Sequence, residues 1–170
     1  MNLKEYIRSI PDYPKKGILF RDITTLIKDE KAFSETINQI VERSKKYKFT
    51  KIAAIESRGF VFASAVSYIL KKPFIMLRKK NKLPADVHSV DFELEYGKAT
   101  IEVHKDSLDE NDSVLIVDDL IATGGTAEAA AKLVKISNSK VACLLYTSPS
   151  PRDVEESAMA GGGWKKKRGG

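Results

Sequence analysis

Two adjacent carboxylates, Asp118 and Asp119, stand a few residues before Thr123, Gly124, Gly125 and Thr126. Acids at the end of an apolar run can accept hydrogen bonds from a pair of hydroxyls. Small Thr and Gly residues that lead into a helix let backbone N–H groups approach an anion at the electropositive helix end. A second set, Glu56, Ser57, Arg58 and Gly59, offers backbone amides and a guanidinium suited to bidentate oxyanion contact. A third holds Arg78, Lys79, Lys80 and Lys82, and a fourth the alternating acids Glu93 and Glu95. Each has a plainer reading: acids at a surface turn, a solvated Arg58, a solvated basic loop, and two outward carboxylates. His88 has no second ligand at metal-binding spacing and carries no assigned role.

The elements that position these groups follow from hydrophobic period. Residues 114–117 are apolar without alternation, as in a strand buried on both faces of a parallel sheet, and the acids then stand at its end. In open α/β sheets the ligand crevice lies outside the carboxyl ends of the strands. Residues 51–56, 73–77 and 140–146 read as further strands. Residues 29–47 read as an amphipathic helix, 60–70 as a helix apolar nearly all round and packed inside the sheet layers, and 127–134 as a helix with a small-residue face. Residues 3–10 place Leu3, Tyr6, Ile7 and Ile10 at helical spacing before Pro11. Residues 92–97 and 100–104 alternate in polarity as an antiparallel ribbon would, and residues 86–91 read as irregular. The expected fold is one α/β domain, a mainly parallel sheet with helices on both faces and an antiparallel flap. Neither a G-x-G-x-x-G nor a Gly-Lys-Ser/Thr loop is present, and no internal repeat is seen.

The run from Ser113 to Ala127, SVLIVDDLIATGGTA, resembles the phosphoribosyl-pyrophosphate motif of the type I phosphoribosyltransferases. The resemblance implies that Asp118 and Asp119 hold the ribose 2- and 3-hydroxyls and that Ala122, Thr123, Gly124, Gly125 and Thr126 grip the 5-phosphate. E-S-R-G-F, from Glu56 to Phe60, is similar to that family's pyrophosphate loop, which assigns Glu56, Ser57 and Arg58 to substrate. R-K-x-x-K-L-P resembles the segment where Arg78 and Lys82 bind pyrophosphate oxygens at the base of a mobile loop, with residues 86–91 as its tip. P-x-x-G-I-x-F-R-D-I-T looks like the base-binding segment of the adenine phosphoribosyltransferases. There Leu19 and Arg21 would supply main-chain hydrogen bonds and Phe20 would stack on the purine. L-E-Y-G places Glu95 near the purine and Tyr96 near the loop.

The resemblance implies transfer of phosphoribose from phosphoribosyl pyrophosphate to adenine, giving AMP and pyrophosphate, with Glu95, Arg58 and Lys82 catalytic. Magnesium is expected on pyrophosphate and ribose oxygens rather than on a side-chain site. The family usually forms homodimers. Rival readings are a 6-oxopurine or orotate phosphoribosyltransferase, differing in the base site, and a non-catalytic sensor of phosphoribosyl pyrophosphate. Phe20, Arg21 and Asp22 argue against the first, and the short segment before them leaves no room for the DNA-binding helices the second would need.

With 170 residues, 42% apolar and 31% charged, the chain suits one soluble domain and contains no membrane-length apolar run. Residues 1–5 carry an early acid and no signal-peptide core, and a lone Cys143 in an apolar run reads as a buried thiol, so a reducing cytoplasm is expected. The net charge of +6 suits an anionic small molecule, and no clustering points to nucleic acid. The family pattern covers residues 1–146. Residues 147–170 turn to Ser and Pro, then Gly, then Lys and Arg, and read as a disordered, unrelated end that leaves a sheet edge uncovered, so that the chain's folding is itself in question.

Overall fold

The computed structural model describes residues 2–94, 97–120, 125–147, 154–160 and 163–167. After a 3-10 turn over Leu3–Tyr6, strand β1 (Arg8–Ile10) pairs antiparallel with β2 (Phe20–Asp22) in a small separate sheet. Helices α1 (Thr24–Ile27) and α2 (Glu30–Ser44) follow, then β3 (Lys51–Ile55), α3 (Arg58–Leu70), β4 (Phe74–Lys79), β5 (Val87–Leu94) and β6 (Gly97–His104). The chain continues through β7 (Ser113–Leu120), α4 (Gly125–Ile136), β8 (Lys140–Thr147), β9 (Val154–Ala160) and β10 (Gly163–Lys167). The main sheet has the order β10-β9-β8-β7-β3-β4-β6-β5. Its centre, β8-β7-β3-β4, is parallel, and both flanks are antiparallel.

The central strands lack polar alternation because both of their faces are buried. Ile52, Ala54, Leu115, Val117, Cys143 and Leu145 pack with Leu26, Ile37, Ile40, Phe62 and Val66 from α1, α2 and α3. Ala53, Val114, Ile116, Leu144 and Tyr146 face the other way, onto Ala130, Leu133 and Val134 of α4 and Val90, Ile101 and Val103 of the flap. Helix α2 begins where the Asp29 carboxylate accepts the amides of Lys31 and Ala32 at 3.1 and 2.9 Å. No described helix is long and apolar enough to cross a membrane.

Several expectations give way. The periodic residues 3–10 form a single 3-10 turn and then a strand, because pairing with β2 satisfies the backbone that a helix would otherwise have served. Residues 86–91 are not an irregular tip: β5 is paired with β6 along its whole length, and Val90 is buried. Helix α3 is not enclosed, since Val61, Tyr68 and Ile69 are exposed on its outer side. The end from residue 147 was expected to be disordered and the edge of β8 bare, whereas β9 pairs with β8 and β10 with β9. An unpaired edge offers main-chain donors and acceptors to any extended segment, so composition alone does not decide the outcome.

Candidate active site

The parallel strands β3, β4 and β7 end on one edge of the sheet, and each delivers chemistry there. Glu56 and Ser57 follow β3, Arg78 and Lys79 close β4, and Asp118 and Asp119 lie near the end of β7. Strand β7 does not stop at Val117 as expected but runs on to Leu120, with a register shift against β8 between those residues. Val117 stands opposite Leu145 and Leu120 opposite Thr147, so β7 carries one extra residue in a bulge that contains the acid pair. Bulges of this kind bend a strand and re-aim its side chains.

The starts of α3 and α4 approach the same edge. A Cβ at Gly59 would stand 3.3 Å from the Val117 carbonyl oxygen, 3.4 Å from Ala54 Cβ and 3.5 Å from Asp118 Oδ1. The glycine thus lets the first turn of α3 sit directly against the end of β7. The turn Glu56–Ser57 with the start of α3, and the acid at 118, far apart in sequence, lie close together. The Glu56–Ser57 peptide is cis.

Arg58 turns away from the strand ends toward the small sheet. Its Nη2 donates to the Arg21 carbonyl at 2.8 Å, and its guanidinium lies 5.3 Å from the centroid of the Phe20 ring. Phe20 also meets Tyr13 edge-to-face at 5.1 Å, Arg21 donates to the Ser9 hydroxyl at 2.6 Å, and Leu19 is exposed. Asp22 fixes this strand: it takes Arg8 at 2.6 Å and the Thr24 amide and hydroxyl at 2.9 and 2.7 Å. The Thr24 hydroxyl and amide, with the Arg8 guanidinium, hold the Asp22 carboxyl down to about 2.

Glu56 faces β4. Its Oε1 accepts the Lys79 amide at 2.8 Å and Arg78 Nε at 3.3 Å, while Arg78 Nη1 donates to the Lys82 carbonyl at 3.4 Å. Burial works against ionisation of Glu56, but the Lys79 amide and the Arg78 guanidinium outweigh it and keep its carboxyl below the ordinary value. A carboxylate so placed orients Arg78 and the end of β4. Beside it opens a cavity of about 600 Å³ lined by the polar residues Glu56, Lys79, Lys80, Lys82, Lys98 and Thr126 together with the apolar Ile55, Phe92, Leu94 and Ile101.

Of the residues expected from sequence, Glu56, Lys82 and Thr126 line this cavity. Among the described residues, Leu19, Phe20 and Arg21 form a group joined to Arg58 through the Arg21 carbonyl, and Ser57, Arg78, Asp118 and Gly125 stand on the strand-end edge without lining the cavity. Glu95, Tyr96, Ala122, Thr123 and Gly124 lie outside the described residues, as does the side chain of Asp119. Sequence reasoning passed over Lys98, whose place opposite Glu93 in the β5–β6 register marks no chemistry by itself. It also missed Glu102, which sits under the basic turn and binds the Asn81 amide.

Comparison with known proteins agrees with this geometry. Residues 23–161 match the phosphoribosyl transferase domain. The chain is 82% identical over 146 residues to an adenine phosphoribosyltransferase of Pelagibacter ubique, spanning 86% of this chain and 83% of that one. It is 52% identical over 141 residues to the adenine phosphoribosyltransferase of Nitrosomonas eutropha, spanning 83% and 81% of the two chains. The crystal structure of adenine phosphoribosyltransferase from Thermoanaerobacter pseudethanolicus superposes with a TM-score of 0.82 at 47% identity, covering 85% of this chain and 84% of that one. The Saccharomyces cerevisiae enzyme, complexed with an imino-altritol bisphosphate and adenine, gives 0.79 at 32% identity over 86% and 85% of the chains. A sheet whose strand ends carry these loops, matched over most of its length by these relatives, places the chain in the phosphoribosyl transferase family.

Proposed function

We infer that this chain transfers the 5-phosphoribosyl group of phosphoribosyl pyrophosphate to N9 of adenine, releasing AMP and pyrophosphate. The observation that carries the inference is the joining of the two half-sites by Arg58, which opens α3 just after β3 and binds the Arg21 carbonyl beside the Phe20 ring. The reaction breaks the C1–O bond to pyrophosphate and forms a C1–N9 bond, and N9 gives up its proton. Positive charge grows on the ribose and negative charge on the leaving diphosphate. Lys79, Lys80, Lys82 and Lys98 stand around the cavity as preorganised cations for that charge. Arg78, held by Glu56, adds a guanidinium on the same edge.

Asp118 and Asp119 hold the ribose hydroxyls, and residues 122–126 hold the 5-phosphate, so that remote binding aligns C1. Phe20 supplies a face for the purine, with main-chain groups of Leu19 and Arg21 reading its edge. Glu95 accepts the N9 proton, directly or through a water, and Tyr96 lies beside it. Magnesium brought in on the diphosphate and ribose oxygens would supply charge neutralisation for the leaving group.

A cytoplasmic homodimer belongs to the same reading. Val61, Tyr68 and Ile69 of α3 and Met76 of β4 leave apolar side chains exposed that a second copy of the chain would cover, which sedimentation would test. The decisive experiment supplies purified chain with phosphoribosyl pyrophosphate, magnesium and one of adenine, hypoxanthine or guanine. AMP formation should exceed use of either 6-oxopurine by roughly 10⁴-fold in kcat/KM, since the wrong exocyclic group leaves a buried polar atom unpaired. Comparable use of hypoxanthine would overturn the assignment of the base.

A further inference from the structure

Glu102 lies on β6, the middle strand between β4 and β5, and is buried, with 6% of its surface exposed. Its backbone stands opposite Arg78 on one side and Ser89 on the other. Oε1 accepts the Asn81 amide at 2.9 Å, and Oε2 accepts the Ser89 hydroxyl at 2.6 Å. Asn81 is left-handed, with φ of 67°, and occupies the turn between Lys80 and Lys82, both of which line the cavity.

We propose that Glu102 is a positioning residue for the transfer reaction, holding the turn after β4 so that Lys80 and Lys82 face the leaving diphosphate. It rests on the phosphoribosyl transfer inferred above. Lys79, Lys80, Lys82 and Lys98 line one cavity, and like charges at such a site repel one another until an anion binds. Asparagine tolerates the left-handed region well, but a turn that holds Lys80 and Lys82 close together gains from an anchor. Glu102 supplies it: the carboxylate accepts the Asn81 amide and places a fixed negative charge beside the turn. The Ser89 and Asn81 hydrogen bonds, helped by attraction to Lys80, keep its carboxyl below the usual range despite burial. Glu102 itself touches no substrate on this account. It sets the resting geometry that the lysines bring to the diphosphate, which lowers the cost of organising them at the moment of reaction.

The test uses Glu102→Gln, which keeps the shape and one acceptor oxygen but removes the charge, and Ser89→Ala, an exposed position that removes one partner of the carboxylate. Melting temperature, kcat, and KM for each substrate are measured, together with the affinity for inorganic pyrophosphate by titration calorimetry. Glu102→Gln should weaken pyrophosphate and raise KM for phosphoribosyl pyrophosphate roughly tenfold, the scale of one lost charge-assisted hydrogen bond, while KM for adenine stays within about twofold. Ser89→Ala should move both in the same direction by less. Unchanged pyrophosphate affinity in folded Glu102→Gln, or in Ser89→Ala should the first variant not fold, overturns the proposal. Equal increases in both KM values also overturn it, as a general loosening of the fold would give that pattern. Pyrophosphate titration needs no turnover, so the role of Glu102 and the identity of the base are judged separately.

Discussion

Gly59→Ala sets two known effects against each other at the point where α3 meets β7. The added Cβ would stand 3.3 Å from the Val117 carbonyl oxygen and 3.5 Å from Asp118 Oδ1, so backbone or helix has to give by a few tenths of an ångström. Overpacking of this kind costs about 1–3 kcal/mol. Alanine regains up to about 1 kcal/mol of helix preference, and less in a first turn. The net destabilisation is roughly 0–3 kcal/mol, a fall in melting temperature of at most about 12 °C for a chain of this size. Activity should suffer more than stability, because the displaced atoms are those to which the proposed function assigns diphosphate and ribose binding. A shift of a few tenths of an ångström there should lower kcat about tenfold, given that 1 Å can cost roughly a hundredfold. Ser64→Ala, on the exposed side of the same helix, is the control. Melting curves and AMP formation are read on both variants. If Gly59→Ala matches the unsubstituted chain in turnover, the close approach of α3 to β7 does not set the geometry of the site.

Acid stability should depend on Asp22. Its folded pKa of about 2 lies below the unfolded value near 3.9, so its stabilisation is complete above about pH 4 and is lost as pH falls through about 2; Asp22→Asn should flatten that limb of the unfolding curve, and an unaltered limb would count against the role given to Thr24 and Arg8. Glu95→Gln should lower turnover about a hundredfold with adenine binding kept, with Glu93→Gln as its matched control; two variants that behave alike would make Glu95 a solvated flap residue. Arg58→Lys loses the planar fork over Phe20 and the contact to the Arg21 carbonyl, so KM for adenine should rise several-fold; an unchanged KM for adenine would separate Arg58 from the base side.

What could be read in advance followed from local pattern. The apolar residues 114–117 and 52–55 fit strands buried on both faces, each a short run of four apolar residues without alternation. The strand-end acids and the loop after β3 were legible for the same reason: a buried parallel strand must empty its polar residues onto its carboxyl edge. Features set by long-range pairing were not legible. Strand β1 exists because β2 lies beside it, and Leu3, Tyr6, Ile7 and Ile10 would suit a helix equally well. Residues 86–91 look irregular until β6 is laid against them. Glu56 reads as part of an anion loop, yet its hydrogen bonds go to Lys79 and Arg78, more than twenty residues on. Glu102 is one acid in an alternating ribbon, and only folding brings Asn81 and Ser89 to its two oxygens.

The side chain of Arg58 has a thermodynamic consequence beyond its contacts. It is rooted in the first turn of α3, on the side the proposed function gives to the diphosphate, and ends on β2, on the side that reading gives to the base. A ligand that draws the guanidinium off the Phe20 ring from one end alters the surface met by a ligand at the other. Linkage then requires reciprocity: whatever factor diphosphate imposes on the affinity for adenine, adenine must impose on the affinity for diphosphate. Order of addition in this enzyme would thus be a matter of which partner first claims one shared cation, and the two dissociation constants measured in the presence and absence of the other ligand should close a thermodynamic square through Arg58.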